Sequence, residues 1–194
     1  ILIAIIGTFA IEYQVSLPII AMMVFNADAA AYAALLGAMG IGSVIGGLFA
    51  AGRHHIYPSQ LAYWSVLFGI AMTATAFMPT LELAIFGMFV VGFFSINVTS
   101  LANTMIQLES VPEMRGRVMG LWSTAMIGST PIGGPIVGYV AQYAGGRWGL
   151  AIGGIATVVA VIPALSVLVR KKVFDRSEEE DLLEEEIGKS AKLH

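Results

Sequence analysis

Charged residues are scarce in this sequence. Lys, Arg, Asp and Glu make up 12% of its 194 residues, whereas hydrophobic residues make up 57%. A soluble domain carries about 25% charged residues. The missing charge leaves six apolar runs: 1–25, 29–52, 59–78, 81–108, 118–144 and 148–169. A helix needs about 20 apolar residues to cross a bilayer. The sequence therefore predicts an all-α, polytopic transmembrane bundle and excludes an ordinary soluble domain.

Cysteine is absent altogether, which excludes disulfides, thiolate metal sites and a cysteine nucleophile. The three histidines are His54, His55 and His194, and all of them lie outside the apolar runs. An intramembrane serine protease needs a histidine within a span, and an intramembrane aspartyl protease needs two aspartates there. Basic residues sit at the ends of the runs rather than on one face, so no nucleic-acid surface is indicated. We predict no enzymatic activity, no cofactor and no metal site.

The few basic residues predict the orientation. Nearly all Lys and Arg residues close to the ends of the apolar runs lie on one side of the bundle, and the other side carries only Arg147. The richer side holds Arg53, Arg115, Arg117, Arg170, Lys171, Lys172 and Arg176. Positive residues favour the cytoplasm. We expect a bundle at 1–172 in a bacterial-type inner membrane, followed by an acidic, disordered cytoplasmic tail at 173–194. Because Ile1 already lies in an apolar run, we expect the chain to be part of a longer protein.

Glycine and proline are concentrated in the second and fifth runs. The principal positions are Gly42, Gly46, Gly133, Gly134, Pro135 and Gly138. The two runs are the middle members of two three-span units that enter the membrane from opposite sides. Helices interrupted at matched places in inverted repeats are typical of transporters. The alternative is that these glycines only allow close helix packing. The pattern predicts six spans arranged as 3+3 inverted repeats.

Glu12 is the one carboxylate well inside a run. An acidic residue at the middle of a spanning helix costs about 2.5–3.5 kcal/mol, so it should face the bundle interior or a water-filled cavity. We predict a proton-coupling or cation-binding site at Glu12. The alternative is a neutral glutamic acid held by hydrogen bonds to Tyr13, Gln14 or a neighbouring helix.

Polar residues on the fourth run form a second candidate site. Ser100, Asn103 and Gln107 share one helical face. With Tyr13 and Gln14 they are candidates to line a substrate cavity. The alternative is that they tie helices together through hydrogen bonds worth about 0.6 kcal/mol each.

Several stretches of the chain resemble a known family. Residues 111–121, Val-Pro-Glu-Met-Arg-Gly-Arg-Val-Met-Gly-Leu, resemble the loop between the tenth and eleventh helices of major facilitator superfamily transporters. Stretches 14–18, 37–46, 103–107 and 130–133 resemble the branch of macrolide and enterobactin exporters. The resemblance covers 1–172. It implies that the chain is the carboxy-terminal half of a twelve-helix transporter working by alternating access.

Three arginines are gate candidates on that resemblance. Residues 46–53 resemble a half-repeat copy of the superfamily's acidic-basic signature, which places Arg53 in a cytoplasmic gate, although the expected aspartate is Ala51 or a neighbour. Arg115 and Arg117 lie at the cytoplasmic start of the fifth run, where they either set topology or form gate ion pairs.

Together these observations predict a secondary active transporter that exports small amphipathic molecules, drug-like or siderophore-like, in exchange for protons. Its expected partners are membrane lipid, a small-molecule substrate, and either the missing amino-terminal half or a second copy. A nutrient or metabolite importer of the same fold and a non-transporting membrane scaffold are the alternatives.

Overall fold

The computed structural model describes residues 13–25, 27–53, 57–128 and 130–163, and helices are the only regular elements within those ranges. The first helix, α1, runs through Tyr13–Ile19 and continues as a π-helical turn, Ile20–Val24. The others are α2 (Ala29–Ala51), α3 (Pro58–Ala76), α4 (Leu81–Glu109), α5 (Arg115–Gly128), α6 (Thr130–Tyr143) and α7 (Gly146–Pro163).

Three of these helices, α2, α4 and α7, are long and apolar enough to cross a membrane. The prediction of an all-helical, multi-pass membrane protein is therefore confirmed. The predicted run 118–144 is occupied in the described residues by α5 and α6, and residue 129 lies outside those residues. Residues 1–12, 164–169 and the tail at 173–194 lie outside the described residues.

Local sequence signals fix the helix starts. The Asp28 carboxylate accepts hydrogen bonds from the Ala30 and Ala31 N–H groups at 3.0 and 3.3 Å, so it caps α2. Thr80 caps α4 by accepting from the Leu83 N–H at 3.4 Å. Gly145 adopts φ +99° in the turn between α6 and α7, a conformation that glycine adopts without strain. These tight connections make the helices that they join antiparallel.

The closest packing in the bundle is between the parallel helices α2 and α4. A Cβ added to Gly46 would lie 2.6 Å from the Phe93 carbonyl oxygen, and one added to Gly42 would overlap the Phe89 carbonyl. The Ser43 hydroxyl donates to the Gly92 carbonyl across this contact at 3.2 Å. Because α2 continues unbroken through both glycines, the prediction of an interruption there is wrong for α2. These glycines let two backbones touch.

Glycines also bring α7 against its neighbours. A Cβ added to Gly69 of α3 would lie 2.7 Å from the Gly154 carbonyl oxygen. Further along α7, a Cβ on Gly149 would lie 3.1 Å from the Ser16 hydroxyl of α1 and 2.7 Å from Ala141 of α6. Helix α7 therefore joins α1, α3 and α6 through close approaches.

One hydrophobic core runs through the described bundle. Its largest buried side chains include Leu17, Leu35, Phe68, Met88 and Leu150, which come from α1, α2, α3, α4 and α7. The helix directions give the bundle two ends. We call the end with Asp28, Thr80 and Gly145 the Asp28 face, and the end with Arg53 and Ser110 the Arg53 face.

Candidate functional site

The side chain of Arg53 links three helices at the Arg53 face. Its Nη2 donates a hydrogen bond to the Asn97 Oδ1 of α4. Its guanidinium carbon lies 4.5 Å from the centre of the Trp64 ring of α3 and 5.0 Å from that of the Phe49 ring of α2. Guanidinium groups within about 6 Å of an aromatic ring are attracted to its face. We call Arg53, Asn97, Phe49 and Trp64 the arginine clasp.

A hydrogen bond within α4 orients the Asn97 side chain for this contact. Its side chain is fully buried, and its Nδ2 donates to the Phe93 carbonyl at 2.6 Å. That bond uses one side of the amide and leaves the Oδ1 to accept from Arg53. Asparagine thus satisfies donor and acceptor roles that a leucine at this buried position could not.

The clasp holds a positive charge against neutral partners. Within the described residues Arg53 forms no ion pair, and its Nη1 is buried without a hydrogen-bond partner. Burial lowers the pKa of the Arg53 guanidinium from its ordinary value, because desolvation disfavours the charged form. A guanidinium nevertheless stays protonated in proteins. The gate candidate Arg53 therefore has its guanidinium directed into its own bundle, where it carries a positive charge.

An aromatic cluster surrounds the clasp. Trp64 packs at 5.7 Å against Phe94 and at 6.2 Å against Phe93, while Phe49 lies 5.7 Å from Phe93. Phe49 remains 51% exposed, so the rim of the cluster is open. The sequence analysis singled out Arg53 as a gate candidate and missed that it meets Asn97 and these aromatic residues. Phe49 lies only four residues before Arg53, but Asn97 lies 44 residues after it, and no periodic pattern joins Arg53 to a helix that starts at residue 81.

The predicted polar ladder does lie along one part of α4. The Gln107 Nε2 donates to the Asn103 Oδ1 at 2.5 Å, and Gln107 is exposed. Ser100 and Asn103 are partly buried, and the Ser100 carbonyl accepts from Thr104 at 2.9 Å. In the described residues the ladder's side-chain bonds thus remain within α4. This pattern leaves Gln107 available to a group from elsewhere.

Arg115 and Arg117 stand exposed in the first turn of α5. Among the described residues neither forms an ion pair, although Glu109 and Glu113 lie close in sequence. Positive charge at a helix N-terminus is mildly unfavourable, because the helix dipole is also positive there. These arginines therefore gain nothing from their own helix and are available to phosphate or carboxylate groups outside it.

The remaining candidates are placed only in part. Glu12 lies outside the described residues. Tyr13 and Gln14 open α1, but their side chains also lie outside what the structure describes. Gly133, Gly134, Pro135 and Gly138 all lie within α6, which continues through Pro135. No group of three or more His, Cys, Asp or Glu side chains in the described ranges could hold a metal ion.

Comparison with known proteins gives two matches. The family described as transmembrane secretion effectors matches residues 2–190. The multidrug efflux pump Tap of Mycolicibacterium fortuitum is 29% identical over 113 residues, which are 57% of this chain and 28% of that relative. The match thus spans less than a third of the relative's length. No solved structure shows a significant similarity to the chain.

Proposed function

This chain belongs to the transmembrane secretion effectors of the major facilitator superfamily, which are transporters and not enzymes, and from that membership we propose that it forms one half of a proton-coupled exporter. The half consists of six spans, α1, α2, α3, α4, α5 with α6, and α7, arranged as 3+3 inverted repeats. Its cargo is small amphipathic molecules, and the resemblance to macrolide and enterobactin exporters points to drug-like or siderophore-like compounds.

The observation that carries this proposal is the pattern of helix contacts. In a 3+3 arrangement α1 corresponds to α4, α2 to α5 with α6, and α3 to α7. Under this correspondence the contact of α2 with α4 becomes the contact of α6 with α1, and both contacts are present. The same correspondence relates α3–α4 to α1–α7, and α1–α2 to α4–α5. The contact of α3 with α7 maps onto itself. A pseudo-two-fold bundle has this property, and inverted repeats are the basis of alternating access.

The second half of the exporter is an amino-terminal bundle that this sequence does not contain. The curated relative is much longer than the stretch that it shares with this chain. The arginines at the Arg53 face support an inner-membrane orientation with that face and the carboxy terminus in the cytoplasm. A second copy of the chain is the alternative occupant of the facing position.

Transport needs a polar path, and α4 supplies one. Ser100, Asn103 and Gln107 line the cavity and hydrogen-bond the cargo, together with Tyr13 and Gln14 of α1. The exposed Gln107 amide supports this role because its partner within the bundle is another amide of the same helix. Export is favoured over import because the curated relative is an efflux pump by name.

Glu12 couples the cycle to protons, and arginines control its cytoplasmic side. A carboxyl group in a span is tolerated best in its neutral form, so gain and loss of a proton would change which conformation is favoured. Arg115 and Arg117, unpaired in the described bundle, form the gate contacts with the other half. Arg53 supports the gate by fixing α2, α3 and α4 together.

The test uses the full-length protein in proteoliposomes, loaded with a fluorescent lipophilic cation and given a defined pH gradient. We expect gradient-driven export from the wild type and from Glu12→Asp, and none from Glu12→Gln, since glutamine cannot release a proton. Facilitated movement of the dye without a gradient should survive in Glu12→Gln.

Two results would contradict the proposal. Full gradient-driven export by Glu12→Gln would remove Glu12 from coupling. Absence of any transport by a folded wild-type protein, across dyes of both charges, would favour a scaffold. Gradient-driven uptake instead of export would favour the importer.

A further inference from the structure

The four rings of the aromatic cluster, Phe49, Trp64, Phe93 and Phe94, are arranged like a cation-binding site. Neighbouring ring centres lie 5.5–6.2 Å apart, and the rings are inclined to one another by 45–78°. Because the rings are tilted rather than stacked, they do not cover one another's faces. Groups of aromatic faces attract Lys and Arg, and they also recognise quaternary ammonium ions. Three helices, α2, α3 and α4, thus contribute ring faces with the partial negative charge that a cation needs.

Arg53 is the cation that fills this cluster in the structure. Its guanidinium carbon lies 4.5 Å from the centre of the Trp64 ring and 5.0 Å from that of the Phe49 ring. A guanidinium carries five N–H donors. Among the described residues its side chain has one hydrogen-bond acceptor, the Asn97 Oδ1, and its Nη1 is buried without an acceptor. The cluster therefore suits the charge of the guanidinium better than it suits the N–H groups.

A cation without N–H groups would fit the cluster better than arginine does. Leaving a buried donor unpaired costs free energy, and a quaternary ammonium group has no donor to leave unpaired. No described carboxylate forms an ion pair with Arg53, so ring faces and one neutral amide retain it. We propose that the aromatic cluster is a binding site for quaternary ammonium groups, which displace Arg53 from it. Arg53 acts there as a tethered ligand that closes the site when no such cation is bound.

The position of the cluster allows a cation to enter and Arg53 to leave. Phe49 is half exposed at the Arg53 face, and Arg53 and Trp64 are partly exposed. Arg53 is the second residue after the end of α2, and its long side chain can extend to water or to a lipid phosphate. Its departure would break the contact that joins α2, α3 and α4. Cation binding of this kind requires neither proton coupling nor export, so it goes beyond the proposed function.

The test is a ligand-observed NMR titration of choline into the full-length protein in a maltoside detergent. Arg53→Ala empties the cluster, so we expect it to bind choline at least about tenfold more tightly than the wild type. Arg53→Lys keeps a tethered cation and should bind choline as weakly as the wild type. Adding Trp64→Leu to Arg53→Ala removes a ring that contacts the guanidinium and should abolish most of the gain.

Two controls distinguish a cation site from an apolar hole. Neohexyl alcohol, the uncharged carbon analogue of choline, should bind Arg53→Ala at least about tenfold more weakly than choline does. Arg147 is the matched arginine. It lies beside another aromatic pair, Phe77 and Trp148, whose ring centres are 5.5 Å apart, but it donates to the Phe77 carbonyl. Arg147→Ala should therefore leave the choline affinity at its wild-type value.

Three results would overturn the proposal. They are equal choline affinities of Arg53→Ala and the wild type, equal affinities of Arg53→Ala for choline and neohexyl alcohol, and a gain of affinity in Arg147→Ala. If Arg53→Ala does not fold, Asn97→Leu takes its place. That variant keeps Arg53 but removes its hydrogen-bond acceptor, so choline should bind more tightly than to the wild type, and an unchanged affinity overturns the proposal.

Nanodiscs distinguish the two sources of a quaternary ammonium group. Weaker choline binding in phosphatidylcholine than in phosphatidylglycerol nanodiscs would identify a lipid headgroup as the group that competes for the cluster. Equal binding in the two lipids would identify a free cation. Either result supports the site, because both depend on saturable choline binding to the cluster.

Discussion

Two adjacent glycines in the carboxy-terminal half of α2, Gly46 and Gly47, allow the packing of this bundle to be tested with one methyl group. A Cβ at Gly46 would lie 2.6 Å from the Phe93 carbonyl oxygen and 2.7 Å from the Ile96 side chain. A Cβ at Gly47 would meet nothing closer than 3.9 Å, an ordinary van der Waals contact. Gly46→Ala therefore forces α2 away from α4, and Gly47→Ala does not.

The magnitudes follow from two opposing effects. Alanine in a helix is more favourable than glycine by roughly 0.5–1 kcal/mol, and both variants gain this amount. Overpacking costs about 1–3 kcal/mol, and only Gly46→Ala incurs it, because a backbone carbonyl cannot move aside like a flexible side chain. We expect Gly47→Ala to be slightly more stable than the wild type. The free energy of unfolding of Gly46→Ala should be lower than that of Gly47→Ala by about 1–3 kcal/mol.

The assay is thermal unfolding of the purified full-length protein in detergent, followed by tryptophan fluorescence. Trp64 lies close to this crossing, since its ring is 6.2 Å from that of Phe93. The expected order of apparent unfolding temperature is Gly47→Ala, wild type, Gly46→Ala. Equal temperatures for the two alanine variants would refute the close approach of α2 and α4 at Gly46.

Two further predictions concern polar contacts. In a double-mutant cycle, Asn97→Leu and Arg53→Met should show a coupling of about 1.5–3 kcal/mol in unfolding free energy, the range for hydrogen bonds to charged groups. Additive effects would mean that the two side chains do not interact. Asp28→Ala should lose about 0.5–2 kcal/mol because it removes the cap of α2, while Asp28→Asn keeps an accepting oxygen and most of the stability. Equal losses in the two Asp28 variants would assign the effect to charge rather than capping.

The helices of this protein can be predicted from its sequence because every helix that crosses a bilayer must be long and apolar. Long runs with little or no charge predicted α2 and α4 to within a residue at their bounds, and Asp28 and Thr80 mark their starts.

The contacts between helices were harder to predict. Glycine marks a possible close approach without naming the partner, so the crossings of Gly46 with Phe93 and of Gly69 with Gly154 needed the structure. The same holds for the arginine clasp. Arg53 meets Asn97 only because α2 and α4 run parallel. The pattern of side chains within either helix does not indicate which helix packs against it.

The length of α4 makes bilayer thickness a physical variable for this protein. Its 29 residues extend about 44 Å, whereas the hydrocarbon core measures about 30 Å. Counted from Thr80, Ser100 comes about 30 Å along the helix, near the far edge of that core. Asn103 and Gln107 then lie among lipid headgroups if the helix stands upright, and deeper if it tilts. A thicker membrane would draw these amides toward hydrocarbon, so hydrophobic mismatch acts on the same residues that are proposed to meet the cargo.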